Sequence, residues 1–292
     1  MKNRSREERI KSKWVGAHVS VSGGVFNAPK NAHDIGGVAF AMFLKNQKRW
    51  VAKDYDDKII KKFKDEMKKY DFNTDYIMPH AGYLINLANC DPEKWQKSLD
   101  ALIDELKRGE QLGLKYINLH SGSHLGLISL EEGYDLIARG INEAINATEY
   151  ITIVLENTAG KGNTIGGDFE ELKEIIDRVE NKDRVGVLLD TCHTFDYGYD
   201  LATEEGYKKT FEEFENLIGF KYLKGIHLND SMYGLACKKD RHESIGNGML
   251  GMDFFKRFMN DPRFDNMPIT LETIDQSIWK EEIELLYSLI AE

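Results

Sequence analysis

The chain has 292 residues and a hydrophobic content of 41%, enough to bury a large core, and no apolar run approaches the roughly 20 residues that would span a bilayer. With only 5 prolines and no low-complexity stretch, it is predicted to form one domain over residues 14–292, after a basic, flexible extension of residues 1–13. The formal net charge of −10 argues against a nucleic-acid partner, unless bound metal ions reverse the charge locally.

From residue 14 onward, short apolar runs alternate with longer segments of helical period. Eight runs are predicted as strands: 15–19, 38–44, 75–79, 116–119, 151–155, 185–189, 223–228 and 269–271. The segments between them carry apolar stripes at helical spacing, from Ile59, Ile60, Phe63 and Met67 in the first to Trp279, Ile283, Leu286 and Ile290 in the last. Eight such units with buried strands predict an α/β fold, the single-domain (β/α)8 TIM barrel; an open doubly wound sheet is the alternative.

Nine residues that could bind metal lie at or just past the ends of these runs. They are His80, His120, Glu156, Asp190, His193, His227, Asp240, His242 and Glu272. In a barrel the carboxyl ends of the strands gather at one rim, so we expect these side chains to converge there. Glu156 and Glu272 are the most informative, because a carboxylate at the end of a buried strand is costly unless it is paired or coordinated.

The mixture of imidazoles and carboxylates suits zinc, with manganese or iron as alternatives. Nine ligands exceed the need of one ion, and three protein ligands per catalytic zinc would serve three ions if one carboxylate bridged. Three divalent ions would outweigh four ligating carboxylates and make the rim electropositive. Ions about 3.5 to 4 Å apart suit phosphodiester hydrolysis, because they activate a water and clamp the attacking and leaving oxygens.

The remaining histidines and the cysteines have simpler interpretations. A lone histidine at a strand end, such as His18, is more often hydrogen-bonded structure than a metal ligand. Cys192 lies between two candidate ligands but is expected to pack as a small hydrophobic residue. The three cysteines show no disulfide framework and no CxxC pair, so we expect a reducing, intracellular location, in the cytoplasm and nucleoid or in the nucleus depending on the organism.

Two loops bear on the substrate, because they bring cations, amides and aromatic groups to the predicted rim. Such groups would contact phosphates and displace bases, although a solvated loop and simple packing of the barrel mouth are the alternatives. The residues are Asn46, Gln47, Lys48 and Arg49 after the second strand, and Tyr83 and Leu84 after the third.

With these residues in place, the chain resembles the endonuclease IV family of apurinic/apyrimidinic endonucleases. The resemblance extends from about residue 14 to the C-terminus and is carried by long motifs at 16–20, 45–47, 79–80, 83–86, 155–160, 190–193, 227–230, 240–242 and 271–273. It implies a TIM barrel with three zinc ions, acting as a monomer. It implies a first zinc on His80, His120 and Glu156, a second on Glu156, Asp190, His227 and Glu272, and a third on His193, Asp240 and His242.

The resemblance also implies the reaction. A family member hydrolyses the phosphodiester 5′ to an abasic site in double-stranded DNA, with Glu272 helping to orient the nucleophile, and leaves a 3′-hydroxyl and a 5′-deoxyribose phosphate. Removal of blocking groups from DNA 3′ ends is a second implied activity. Lys48 departs from the arginine common at its position, which leaves open whether Lys48 or Arg49 wedges the DNA.

Two other functions remain as alternatives at this stage. A sugar isomerase or epimerase on the same barrel would need only one or two ions and would have no use for His193, Asp240 and His242. A non-catalytic protein that binds damaged DNA would not be expected to keep a complete ligand set.

Overall fold

This computed structural model describes residues 5–291, which fold into nine strands and ten α-helices. The strands are β1 Trp14–His18, β2 Ala39–Ala41, β3 Tyr116–His120, β4 Thr152–Glu156, β5 Val185–Asp190, β6 Leu223–His227, β7 Asp230–Ser231, β8 His242–Glu243 and β9 Pro268–Leu271. The helices are α1 Arg6–Ser12, α2 Ala28–Asp34, α3 Asp57–Lys69, α4 Pro92–Leu112, α5 Leu130–Asn146, α6 Phe169–Arg178, α7 Thr191–Tyr197, α8 Glu204–Leu217, α9 Met252–Met259 and α10 Trp279–Ser288. None of the helices described is both long and apolar enough to cross a membrane.

Seven of the strands form one parallel sheet in the order β2-β1-β9-β6-β5-β4-β3, and β7 pairs with β8 in a separate antiparallel ribbon. β4 and β5 are buried along their whole length, as expected when helices cover one face of a barrel and side chains fill its interior. The predicted apolar stripes lie on the surrounding helices, where Phe63 and Met67 of α3, for example, point into the core. The barrel fold predicted from the alternation is therefore confirmed.

The barrel closes through an eighth segment that is not a regular strand. Residues 75–79, predicted as the third strand, begin in the 3-10 turn Thr74–Tyr76 and then run extended between β2 and β3. Isolated parallel bridges join this segment to both neighbours, and one of them pairs His80 with Asn118 of β3. Pro79 has no N–H to donate, which interrupts a continuous ladder. The prediction of a regular strand was wrong here, although the segment occupies the predicted position.

The amino end of the barrel is covered by α1. Ser5 begins this helix with a capping box to Glu8, and Nε of Arg6 donates to the carbonyl of Ile290 at 3.1 Å. The buried Lys13 ammonium lies 2.9 Å from Asp265. The extension of residues 1–13 was expected to be flexible; residues 1–4 lie outside the described part, and the remainder forms this helix because it finds partners at the opposite end of the chain.

Candidate metal centre

The strand register brings the candidate ligands together in neighbouring pairs. His120 at the end of β3 stands opposite Glu156 at the end of β4, and Asp190 at the end of β5 stands opposite His227 at the end of β6. Since parallel neighbours lie about 4.8 Å apart, two polar side chains at paired positions can reach the same small volume. The ladder of the barrel therefore sets the spacing of the site.

Among the described residues, three groups of side chains could each hold a metal ion, and within each group the polar atoms lie within 4.8 Å of one another. Glu156 and Asp190 each belong to two of the groups. The groups are His80, His120 and Glu156; Glu156, Asp190, His227 and Glu272; and Asp190, His193 and His242. Eight of the nine candidate ligands thus fall into one connected cluster at the rim.

The distances within the groups suit tetrahedral coordination. A tetrahedral zinc with bonds of about 2.0 to 2.1 Å has ligand atoms about 3.3 to 3.4 Å apart. One Glu156 oxygen lies 3.3 Å from Nε2 of His80 and 3.4 Å from Nε2 of His120. Nε2 of His242 lies 3.3 Å from Asp190. These separations are longer than good hydrogen bonds and match the edges of a coordination tetrahedron, so the residues fit zinc.

Backbone carbonyls fix the tautomers of three of the histidines. Nδ1 of His80, His193 and His242 donates to the carbonyls of Ala81, Asn157 and Glu272 at 2.6, 2.9 and 2.9 Å, respectively. Each Nε2 is then left with a lone pair for a metal, which is the usual support for a ligating histidine. His227 is turned the other way, with Nδ1 3.1 Å from Glu156 and 3.3 Å from Glu272.

Three side chains that were not predicted as ligands hold the carboxylates of the site. Asn118 donates to Glu156, Nδ2 of Asn229 donates to Asp190 at 2.7 Å, and Nδ1 of His18 lies 2.5 Å from Glu272. Asn118 could have been found in the sequence, because a polar residue two positions before His120 shares its face of a buried strand. His18 has the role of hydrogen-bonded structure that was expected for it.

The buried carboxylates make the cluster attractive to cations. Burial opposes the charged form of His227, but Glu272 and Glu156 outweigh that effect and raise its pKa to about 9. Burial would also raise the pKa of Glu156, yet His227 and His120 hold it well below the usual range. The same negative potential that favours protonated histidines favours metal ions, which compete with protons for these ligands.

Asp240 approaches the cluster from a strained loop. It lies between β7 and β8 at a φ of 53°, and its backbone N–H donates to the buried carboxylate of Asp196 at 2.9 Å. Its side chain, 44% exposed, places one oxygen 3.1 Å from Nε2 of His193. The third compact group nevertheless contains Asp190 in its place, so the structure offers His193 and His242 two candidate carboxylates.

The two loops expected to contact DNA lie beside one another at the same rim. Asn46, Lys48 and Arg49 are exposed and Gln47 is half-buried. Tyr83 and Leu84 are 58% and 37% exposed, and the Tyr83 ring centre lies 5.1 Å from that of His80. A cleft of about 480 Å³, lined by residues that include His18, Ser22, Asn46 and Gln47, opens between the first loop and the cluster.

Comparisons with known proteins give one consistent result. Residues 29–289 match the family described as xylose isomerase-like TIM barrel. A probable endonuclease 4 from Campylobacter concisus is 50% identical over 277 residues, covering 95% of this chain and 98% of the relative. A protein of the same name from Phocaeicola vulgatus is 51% identical over 276 residues, covering 94% and 99%. The crystal structure of endonuclease IV from Thermus thermophilus aligns with a TM-score of 0.81 at 28% identity, covering 94% of this chain and 98% of that one.

Proposed function

We propose that this chain, which belongs to the endonuclease IV family, is a DNA repair endonuclease that acts at abasic sites in double-stranded DNA. It would hydrolyse the phosphodiester 5′ to the abasic site and leave a 3′-hydroxyl and a 5′-deoxyribose phosphate. Removal of blocking groups from DNA 3′ ends, which also breaks a phosphodiester, is part of the proposal.

The sharing of ligands between groups is the observation that carries this proposal. Glu156 and Asp190 each belong to two groups, so the ligand atoms are arranged for neighbouring ions rather than for separate sites. Neighbouring ions can act on one phosphate together, by lowering the pKa of a water and by neutralising the leaving oxygen. A sugar isomerase, which needs only one or two ions, would have no use for the further group that contains His193 and His242.

We assign three Zn²⁺ ions to the cluster, with Mn²⁺ or Fe²⁺ as alternatives at some positions. Imidazole and carboxylate ligands in tetrahedral spacing favour zinc. The proposed ligands are His80, His120 and Glu156 for the first ion; Glu156, Asp190, His227 and Glu272 for the second; and His193, Asp240 and His242 for the third.

Glu272 is the residue that we propose to orient the attacking water. One of its oxygens is held by Nδ1 of His18 at 2.5 Å, and its backbone N–H donates to Oδ1 of Asn229 at 2.7 Å. The other oxygen lies 3.3 Å from Nδ1 of His227. A carboxylate fixed on several sides can accept a proton from a water in one direction, which is what general-base positioning requires.

Tyr83 and Leu84 are proposed to fill the gap that opens when the abasic sugar leaves the stack. Their exposure and the nearness of Tyr83 to His80 support this role, because enzymes that act on a flipped nucleotide replace it with apolar side chains. Asn46, Gln47, Lys48 and Arg49 are proposed to contact the DNA, and both cations are exposed and available for wedging.

The sugar isomerase alternative agrees with the barrel but not with the whole ligand set. The family that matches residues 29–289 is described by its likeness to xylose isomerase, so the fold alone does not decide between sugar and DNA. His193 and His242, which form a further group with Asp190, favour the nuclease. Turnover of a ketose by protein with one or two bound ions would favour the isomerase.

The test is cleavage of a duplex with a single tetrahydrofuran abasic analogue by zinc-loaded protein. This analogue cannot undergo β-elimination, so a product with a clean 3′-hydroxyl indicates hydrolysis. An undamaged duplex of the same sequence is the control and should remain intact. Absence of cleavage by metal-replete protein would overturn the proposed function.

A DNA substrate implies that the protein acts inside the cell, where the genome is. We also expect a monomer to be active, because one chain supplies all nine proposed ligands. Size-exclusion chromatography with light scattering on the active, zinc-loaded protein would test this expectation.

A further inference from the structure

A buried carboxylate of α4 accepts a hydrogen bond from the loop that follows the ligand His80. Glu105 is 1% exposed, and both of its oxygens accept the backbone N–H of Gly82 at 3.1 Å. Glycine permits this close approach, since a Cβ at position 82 would lie 3.0 Å from Oε1 of Glu105. A hydrogen bond to a carboxylate is roughly twice as strong as one between neutral groups, so this contact fixes the loop firmly.

The same peptide group also supports the histidine. Its carbonyl belongs to Ala81 and accepts from Nδ1 of His80 at 2.6 Å, while its N–H belongs to Gly82 and donates to Glu105. Hydrogen bonds in series polarise one another, so a negative charge at the N–H end makes the carbonyl a stronger acceptor. A stronger acceptor holds His80 in the tautomer that is protonated at Nδ1 and leaves Nε2 unprotonated. It also makes Nε2 a more basic ligand.

The peptide behind His193 provides a natural comparison. Nδ1 of His193 donates to the carbonyl of Asn157 at 2.9 Å. The N–H of that peptide, on Thr158, donates to the neutral carbonyl of Gly166 at 3.0 Å. The chain of hydrogen bonds from His80 therefore ends on a carboxylate, whereas the chain from His193 ends on a neutral backbone carbonyl.

Glu105 also meets the loop that we assign to DNA. The side chain of Lys45, 3% exposed, places its Nζ 3.6 Å from Glu105 and 2.7 Å from Asp104. The same Nζ donates to the carbonyl of Trp50 at 3.2 Å, so it ties both ends of the loop at 46–49 to α4. Burial raises the pKa of Glu105, while Lys45 and the Gly82 N–H favour its ionised form.

We propose that Glu105 is a positioning residue for the first metal ion, acting on His80 through the Ala81–Gly82 peptide and holding the Tyr83 loop by the same contact. The inference rests on the proposed function, since it requires His80 to bind metal. Loss of such an outer partner typically weakens metal binding by about 10- to 100-fold. The first ion should be affected selectively, because His80 belongs to the first ligand group alone.

Zinc release measures this role directly. Zinc-loaded wild-type protein and the variants Glu105→Ala and Glu105→Gln would be mixed with an excess of a chromophoric chelator, and zinc released per chain followed with time. We expect one zinc equivalent to leave Glu105→Ala about 10- to 100-fold faster than wild type, and the others at wild-type rates. Glu105→Gln keeps the volume and one acceptor oxygen but loses the charge, so its effect should be intermediate; it carries the test if the alanine variant does not fold.

Asp104→Asn is the matched control on the same helix. It weakens the contacts to Lys45 and Arg108 but leaves the Gly82 contact in place, and we expect wild-type zinc release. If Asp104→Asn accelerates release as much as Glu105→Ala, or if all the zinc leaves faster, the cause is a general loosening of α4 and the positioning role is overturned. Wild-type release from both Glu105 variants overturns it as well. Wild-type protein that binds no zinc would overturn both proposals, whereas these other results leave the proposed function intact.

Discussion

At the amino end of the barrel, the buried ammonium of Lys13 lies 2.9 Å from the carboxylate of Asp265; at the carboxyl end, the buried Glu156 lies 3.1 to 3.4 Å from four imidazoles. The first arrangement is a complete ion pair that needs nothing from outside. The second concentrates carboxylates among weakly basic rings, which become good partners only when a proton or a metal ion is added. The buried charges at the amino end of the barrel therefore stabilise the fold, and those at the carboxyl end are available to bind cations.

The largest expected effect is on the carboxyl end. Glu156→Gln removes the charge shared by two ligand groups, and we expect cleavage of the abasic duplex to fall by at least about 1,000-fold while the barrel stays folded. Glu110→Gln is the control from the amino end, where Glu110 accepts backbone N–H groups at positions 149–151, and it should cleave normally. Wild-type cleavage by Glu156→Gln would refute its bridging role.

The second effect concerns the amino end. Lys13→Ala removes the cation from a buried pair, and we expect the free energy of unfolding to fall by about 3 to 5 kcal/mol. Lys11→Ala breaks an exposed pair with Glu7 and should leave the free energy of unfolding nearly unchanged. Denaturant titration measures both values. Equal losses in the two variants would show that burial does not distinguish the pairs.

The third prediction concerns which of two carboxylates at the rim, Asp240 or Asp190, binds the third ion. Asp240→Asn should weaken the binding of one zinc equivalent by at least about 10-fold, because it removes the charge of the proposed ligand beside His193. Competition with a chelator of known affinity, at several free zinc concentrations, would measure the change. Unaltered affinity would instead assign the third ion to Asp190, His193 and His242, the group that is already compact in the structure.

The smallest expected effect is on substrate binding. Tyr83→Ala should raise KM for the abasic duplex by about 10-fold and leave the zinc content unchanged, because stacking of one aromatic ring on a base contributes about 1 to 3 kcal/mol. Tyr150→Ala, a comparably exposed tyrosine near the amino end, is the control and should keep the wild-type KM. A change in kcat alone for Tyr83→Ala would argue against the gap-filling role.

Strand ends could be predicted from the sequence because each one combines a buried apolar run with a polar terminus, as at Glu156 and Asp190. Their pairing with His120 and His227 depends on register, which follows from the parallel neighbours of a closed barrel. The choice between Asp190 and Asp240 as partner of His193 could not be predicted, because it depends on how the loop between β7 and β8 folds back.

Two other features required long-range contacts that local patterns do not contain. Arg6 forms its hydrogen bond with a carbonyl 284 positions away, so the contact that holds the amino-terminal helix could not be predicted from the residues near it. Glu105 lies on the buried face of α4. Other charged residues surround it in the sequence, so its burial could not be predicted from the local pattern. Only the fold brings it to Gly82, 23 positions earlier in the chain.

The irregular eighth segment gives metal binding a structural consequence. This segment is joined to β2 and β3 by isolated bridges rather than by a continuous ladder, and His80 stands at its end. An ion held by His80, His120 and Glu156 would be a cross-link between this segment, β3 and β4, at a point where the wall of the barrel lacks a continuous ladder. Zinc would then help to close the barrel as well as take part in the reaction at its rim.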